Sequence, residues 1–191
     1  MTKLNIGCSS VSGIYKNPGW LNIDKTPFDT RNFELGDPLE GLKYKDNYFE
    51  EIHCIHVLEH IERKDHHAFL KELHRVTNPG SLIYVEVPDF IQICKDIITV
   101  ADNISFFELE LIDELVEKQR CQILSIYGKG RWEGDAHRWG FTAGSLWKTV
   151  EDAGFKVMDL TPAGPERNYH NNKMVSTHWK QGPIMLARAI K

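Results

Sequence analysis

The run KLNIGCSSVSGIYKNPGWLNID, residues 3–24, constrains the fold more than any other part of the chain. It reads as a short apolar strand at 4–7, a turn of small residues, and a second strand at 20–24 closing on a carboxylate, Asp24. Twelve residues separate the two strands, Gly13, Pro18 and Gly19 among them, so a full crossover helix barely fits. In open α/β sheets, main chain at the end of the first strand and a carboxylate at the end of the second grip a nucleoside. The turn here is Gly7-Cys8-Ser9-Ser10, a degenerate form of the glycine-rich turn, so this reading needs support from the rest of the chain.

That support comes from alternating strands and helices. FEEIHCIHVL (49–58) alternates apolar and polar residues as a half-buried strand running into a loop, after a weaker strand near 33–35 and the breaker Gly36-Asp37-Pro38. Asp65 to Val76 is the best helix: Phe69, Leu70, Leu73 and Val76 share a face, and Asn78-Pro79-Gly80 ends it. SLIYVEV (81–87) is a β-branched strand closed by Pro88. Residues 90–126 carry apolar side chains at helical spacing, in two pieces broken near Asp102-Asn103, and 127–142 reads as a loop. Ala143–Ala153 is a helix ended at Gly154, while 155–160 and 184–190 are strands joined by a long polar link, 161–183. Strands separated by helices favour a mostly parallel, doubly wound sheet. The last two strands lack a helix between them and are expected to pair antiparallel. One domain, 1–191, is expected from the length.

Composition narrows the function classes. A formal net charge of −4 argues against tight non-specific binding to nucleic acid or anionic membranes. No apolar run approaches the length of a membrane span. Cys8, Cys54, Cys94 and Cys121 are scattered without a CxxC pair, as in a reduced, cytoplasmic protein. HVLEH (56–60) matches the H-x-x-E-H pattern of inverted zinc peptidases, but that chemistry needs both histidines on one continuous helix. The segment issues from a strand, so no metal is expected. His66, His67 and His74, on the best helix, read as surface or boundary residues.

In the order LNIGCSS, GWLNID, GDPLEGLKYKDNYFEEIHCIHVLEHI, FLKELHRVTNPGSLIYVEVPD, HRWGFT and LWKTVEDAGFKV, the chain resembles a class I S-adenosylmethionine-dependent methyltransferase, of the small type with a short first βα connection. The resemblance implies a Rossmann-like sheet of about seven strands with an antiparallel last strand and a helical insertion after the fifth. It implies S-adenosylmethionine as cofactor and a small-molecule methyl acceptor. Gly7, Cys8 and Ser9 would let main chain approach the methionine and ribose parts. Asp24 would accept from the ribose hydroxyls, and Asp37, with Pro38 and Leu39, would bracket the adenine. His56, Val57 and Leu58 would stand beside the reactive methyl. The family usually has a second glycine where Ser9 stands, and often an acid where Asn5 stands.

Each assignment has a plainer reading. Asp24 and Asp37 also suit turn or cap positions, and His137 suits a loop residue bonded to backbone. A pyrophosphate wants a helix N-terminus after the first turn, whereas a sulfonium does not, so the short connection disfavours a nicotinamide-dinucleotide oxidoreductase. An inactive binding protein of the same fold is the other alternative. Methyl transfer to a hydroxyl or amine needs a base near neutral pH, and His56 or His137 is the candidate for it. The 90–142 insertion and the 161–183 loop, with Arg131, Arg138, Arg167, Tyr169 and His170, are expected to cover the acceptor, and 104–116 offers an apolar face for a homodimer.

Overall fold

A computed structural model describes residues 3–7, 18–27, 32–102, 126–128, 133–163, 168–169, 172–173 and 184–191. Seven strands form one sheet: β1 (Lys3–Ile6), β2 (Trp20–Asp24), β3 (Phe33–Leu35), β4 (Phe49–Ile55), β5 (Thr77–Pro88), β6 (Lys156–Ala163) and β9 (Ile184–Ile190). A separate two-stranded ribbon joins β7 (Asn168–Tyr169) to β8 (Asn172–Lys173). The sheet order is β3-β2-β1-β4-β5-β9-β6. β1 to β5 pair in parallel, whereas β9 is antiparallel to both β5 and β6. The expected antiparallel hairpin at one edge is therefore present, with its second strand slotted inside the first.

Helices α1 (His66–Val76), α2 (Phe90–Asp102) and α3 (Ala143–Asp152) fall where the apolar period placed them. The second helical piece of the insertion and the 104–116 face lie outside the described residues. Thr142 caps α3: its hydroxyl accepts from Ser145 N while the Ser145 hydroxyl accepts from Thr142 N. α1 touches α3, and α3 lies against β6 and β9. Apolar side chains of α1 and α3 join Leu4, Ile6, Ile52, Cys54, Ile83 and Val85 in one core. Burial pushes the Cys54 thiol well above its usual range, so it is an inert packing group. His66 belongs to this interior and is no surface residue. It is 4% exposed, its Nε2 is 3.0 Å from Ile61 O, and its ring stacks on Phe141. Its spacing to Phe69, Leu70 and Leu73 already placed it on the apolar face.

Parallel sheets are commonly apolar on both sides, but here the alternate residues of the central strands form a polar row. Asn22, Asn5, His53 and Tyr84 stand opposite one another in register. Asn5 Nδ2 donates to Asn22 Oδ1 at 3.0 Å, and the His53 ring contacts Trp20 and Tyr84. Beside them Glu51 binds Lys3 at 2.9 Å and His53 at 2.8 Å. Burial opposes charge on Glu51, but the bonds and charges of His53 and Lys3 outweigh it and hold the carboxyl at about 2. A depressed carboxyl stabilises the fold above its unfolded value, and the gain disappears as pH falls toward 2. Melting temperatures measured from pH 6 to pH 2.5 are expected to fall less steeply in Glu51→Gln than in the parent. Parallel curves would remove Glu51 from the acid response.

Candidate functional site

The strand order reverses between β1 and β4, and ligands of open α/β sheets bind outside the carboxyl ends of strands at such a point. Asp37, Asp24, Gly7 and His56 stand at or just beyond the carboxyl ends of β3, β2, β1 and β4, which are consecutive neighbours in the sheet. Gly7 N donates to Ile23 O at 2.8 Å and Gly36 N to Asp24 O at 3.0 Å, so the ladder continues past the strand ends and fixes their spacing. Gly7 has φ +68°, and a Cβ there would stand 2.3 Å from Val57 Cγ2. Glycine is thus required twice, by its backbone conformation and by the packing of the β4 exit against the β1 exit.

Both aspartates make the local bonds of turn residues. Asp24 Oδ1 accepts from Thr26 N and Asp37 Oδ1 from Leu39 N, each at 2.9 Å. These bonds set the orientation of each carboxylate at the sheet edge. Leu39 is 41% exposed beside Asp37. Cys8 and Ser9 lie outside the described residues.

His56 is held more tightly than any other histidine at this edge. It has φ +55°, rare for a residue with a side chain, and its N–H donates to Glu86 O at 3.0 Å. Its Nδ1 lies 3.1 Å from Glu59 Oε1 and its Nε2 3.0 Å from Glu86 Oε1, and both carboxylates are buried. Burial works against charge on the imidazole, but bonds to Glu59 and Glu86, with their charges, raise it to about 9. Burial likewise opposes charge on Glu59, yet His56, with His60 and His137 nearby, holds its carboxyl below the usual range. The result is a buried ion-paired clamp with His56 at its centre.

Glu59 also organises the HRWGF segment. Its carbonyl accepts from Arg138 N at 2.7 Å and Trp139 N at 3.2 Å. Gly140 passes so close to Phe90 that a Cβ would lie 2.7 Å from the ring, and Asp89 pairs with Phe141. His137 N donates to Tyr127 O at 3.1 Å. The His137 ring then meets His60 edge to face, with centroids 4.7 Å apart, and His60 Nδ1 lies 3.2 Å from Ala136 O. Both candidate bases thus reach one corner of the edge, on either side of Glu59.

A family model described as "Methyltransferase domain" matches residues 7–160. The chain belongs to that methyltransferase family. Solved structures resemble this methyltransferase at fold level. A SAM-dependent methyltransferase from Methanosarcina mazei is 15% identical at a TM-score of 0.58, covering 100% of this chain and 92% of its own. One from Archaeoglobus fulgidus is 16% identical at 0.57, covering 100% and 86%. The Burkholderia thailandensis 1,6-didemethyltoxoflavin-N1-methyltransferase, solved with bound 1,6-didemethyltoxoflavin and S-adenosylhomocysteine, is 10% identical at 0.56, covering 100% and 70%. No curated protein sequence is similar enough to this methyltransferase to count as a match. No helix among the described residues is long and apolar enough to cross a membrane.

Sequence reasoning missed Glu86 and Glu59. Glu86 sits between Val85 and Val87 in an otherwise apolar strand, and a lone carboxylate there demands a buried cation or donor. That demand was the available signal. The positive φ of His56 and the approach of residue 137 to residue 60 had no local signal.

Proposed function

We propose that this methyltransferase moves the methyl group of S-adenosylmethionine to a hydroxyl or amine of a small polar acceptor, such as a sugar or polysaccharide precursor, in the cytoplasm. The observation that carries the reading is the alignment of Gly7, Asp24, Asp37 and His56 along four neighbouring strand ends at the reversal of strand order. Asp24 takes the ribose hydroxyls and Asp37 the adenine amino group. Pro38 and the exposed Leu39 flank the ring. The family resemblance assigns Gly7, Cys8 and Ser9 to the methionine and ribose portions, and Val57 and Leu58 to the neighbourhood of the methyl.

Methyl transfer from a sulfonium is an in-line displacement, so holding acceptor and methyl in contact supplies most of the catalysis. A hydroxyl acceptor must also lose its proton. Both ring nitrogens of His56 lie against carboxylates, and we therefore give deprotonation to the corner containing His137.

Calorimetry with S-adenosylhomocysteine tests the cofactor site directly. The parent is expected to bind one equivalent. Asp24→Ala is expected to weaken binding by about 10- to 100-fold, the worth of one or two hydrogen bonds to a charged group. A parent that binds no S-adenosylhomocysteine at millimolar concentration sinks the proposal. Binding without turnover on any acceptor would favour the inactive binding protein.

A further inference from the structure

The corner that joins β4 to the HRWGF segment carries a second chemistry. We propose that Glu59, His60 and His137 form a binding site for one first-row divalent transition metal ion, of the zinc or manganese class. One ligand atom from each residue lies within 4.8 Å of the others. Around a cation with bonds of 2.0–2.2 Å the ligand atoms sit about 3.0–3.4 Å apart, so the side chains close by roughly 1.5 Å on binding.

Three features show that the site is built. Glu59 is 1% exposed, and its Oε2 has no hydrogen-bond partner among the described residues. A buried carboxylate oxygen without a donor is costly, and a cation beside it removes that cost. Glu59 Oε1 is meanwhile held by His56, which fixes the carboxylate. His60 Nδ1 lies against Ala136 O, so that nitrogen carries the proton and Nε2 is the ligating one. A carbonyl behind a metal-binding histidine is the usual outer support of such sites. The backbone bond from His137 N to Tyr127 O places the third ligand.

Two imidazoles and one carboxylate favour zinc, manganese or iron(II) over magnesium or calcium. They also leave coordination positions open. Resting on the methyl-transfer reading above, the ion accepts a hydroxyl oxygen of the acceptor at one of these positions. The hydroxyl proton passes to solvent. The oxygen then forms its bond to the methyl carbon as the carbon–sulfur bond breaks and its electron pair returns to sulfur. Glu59, His60 and His137 hold the ion in this state, and because the ion acts by binding and acidifying a hydroxyl oxygen, the acceptor class is an alcohol.

The test uses metal-stripped, tag-free protein titrated with zinc chloride and, separately, magnesium chloride. One zinc per chain is expected, with magnesium at least about 100-fold weaker. His60→Ala and His137→Ala, both at partly exposed positions, should each weaken zinc by about 100-fold. His67→Ala, on the exposed side of α1, should bind as the parent does. The visible spectrum of the cobalt-loaded protein should disappear in the same two variants. Absence of zinc binding, or binding that neither variant disturbs, overturns the site. S-adenosylhomocysteine calorimetry on the stripped protein separates the two claims. Cofactor binding without zinc binding removes the metal site alone, and zinc binding without cofactor binding removes the cofactor reading alone.

Discussion

Gly7→Ala is expected to lower the melting temperature by roughly 10 °C and to cut affinity for S-adenosylhomocysteine along with it. Two costs add. A side chain in the left-handed region costs about 1–2 kcal/mol, and the residue sits at φ +68°. The new methyl also enters the space of Val57, whose Cγ2 would be 2.3 Å away. Overpacking of this kind costs about 1–3 kcal/mol more. The pair Gly7→Ala/Val57→Ala separates the terms, because it relieves the contact and keeps the backbone penalty. The double variant should recover about half of the lost melting temperature, beyond what Val57→Ala does alone. A Gly7→Ala protein that melts like its parent would show that the turn after β1 has a different backbone.

The second large effect is expected at His56. Its removal in His56→Leu leaves Glu59 and Glu86 buried with no cation between them, and breaking a buried pair from one side costs about 3–5 kcal/mol. Adding Glu59→Gln and Glu86→Gln to His56→Leu should restore much of the loss, since the isolated charges go with the imidazole. Chemical denaturation of the single and triple variants gives both numbers. If the triple variant is no more stable than the single one, the penalty comes from the backbone at φ +55° and not from charge. The damage should reach the HRWGF segment as well, because the Glu59 carbonyl holds Arg138 N and Trp139 N.

The parts of the fold that could be read from sequence are those fixed by local periodicity. β1, β2, β4 and the helix at 66–76 follow from alternation or a 3.6-residue period, whereas Asn78-Pro79-Gly80, expected to separate that helix from a strand at 81–87, lies inside β5, which already begins at Thr77. The start of α3 at Ala143 follows from the sequence, and the structure adds the Thr142 cap that fixes it. Gly7 and Asp24 could be singled out because they stand at the ends of strands that the sequence marks, whereas Asp37 came through the family resemblance. The corner of Glu59, His60 and His137 was not identifiable. Residues 60 and 137 meet through tertiary bonds to Ala136 and Tyr127, and no short-range pattern encodes that approach. HVLEH did contain the relevant residue types. That pattern carries no information about the distant loop that brings the His137 ring against His60.

The position of β9 bears on biosynthesis. β5 and β6 share no ladder of their own; each pairs with β9, from Leu82↔Ile190 to Pro88↔Ile184 on one side and Lys156↔Ile190 to Ala163↔Ile184 on the other. While a ribosome is still translating residues before 184, the β5 edge is an open template and β6 has no partner in the sheet. Closure therefore waits until that stretch has cleared the exit tunnel, and the nascent chain carries an unpaired strand edge of the kind chaperones protect.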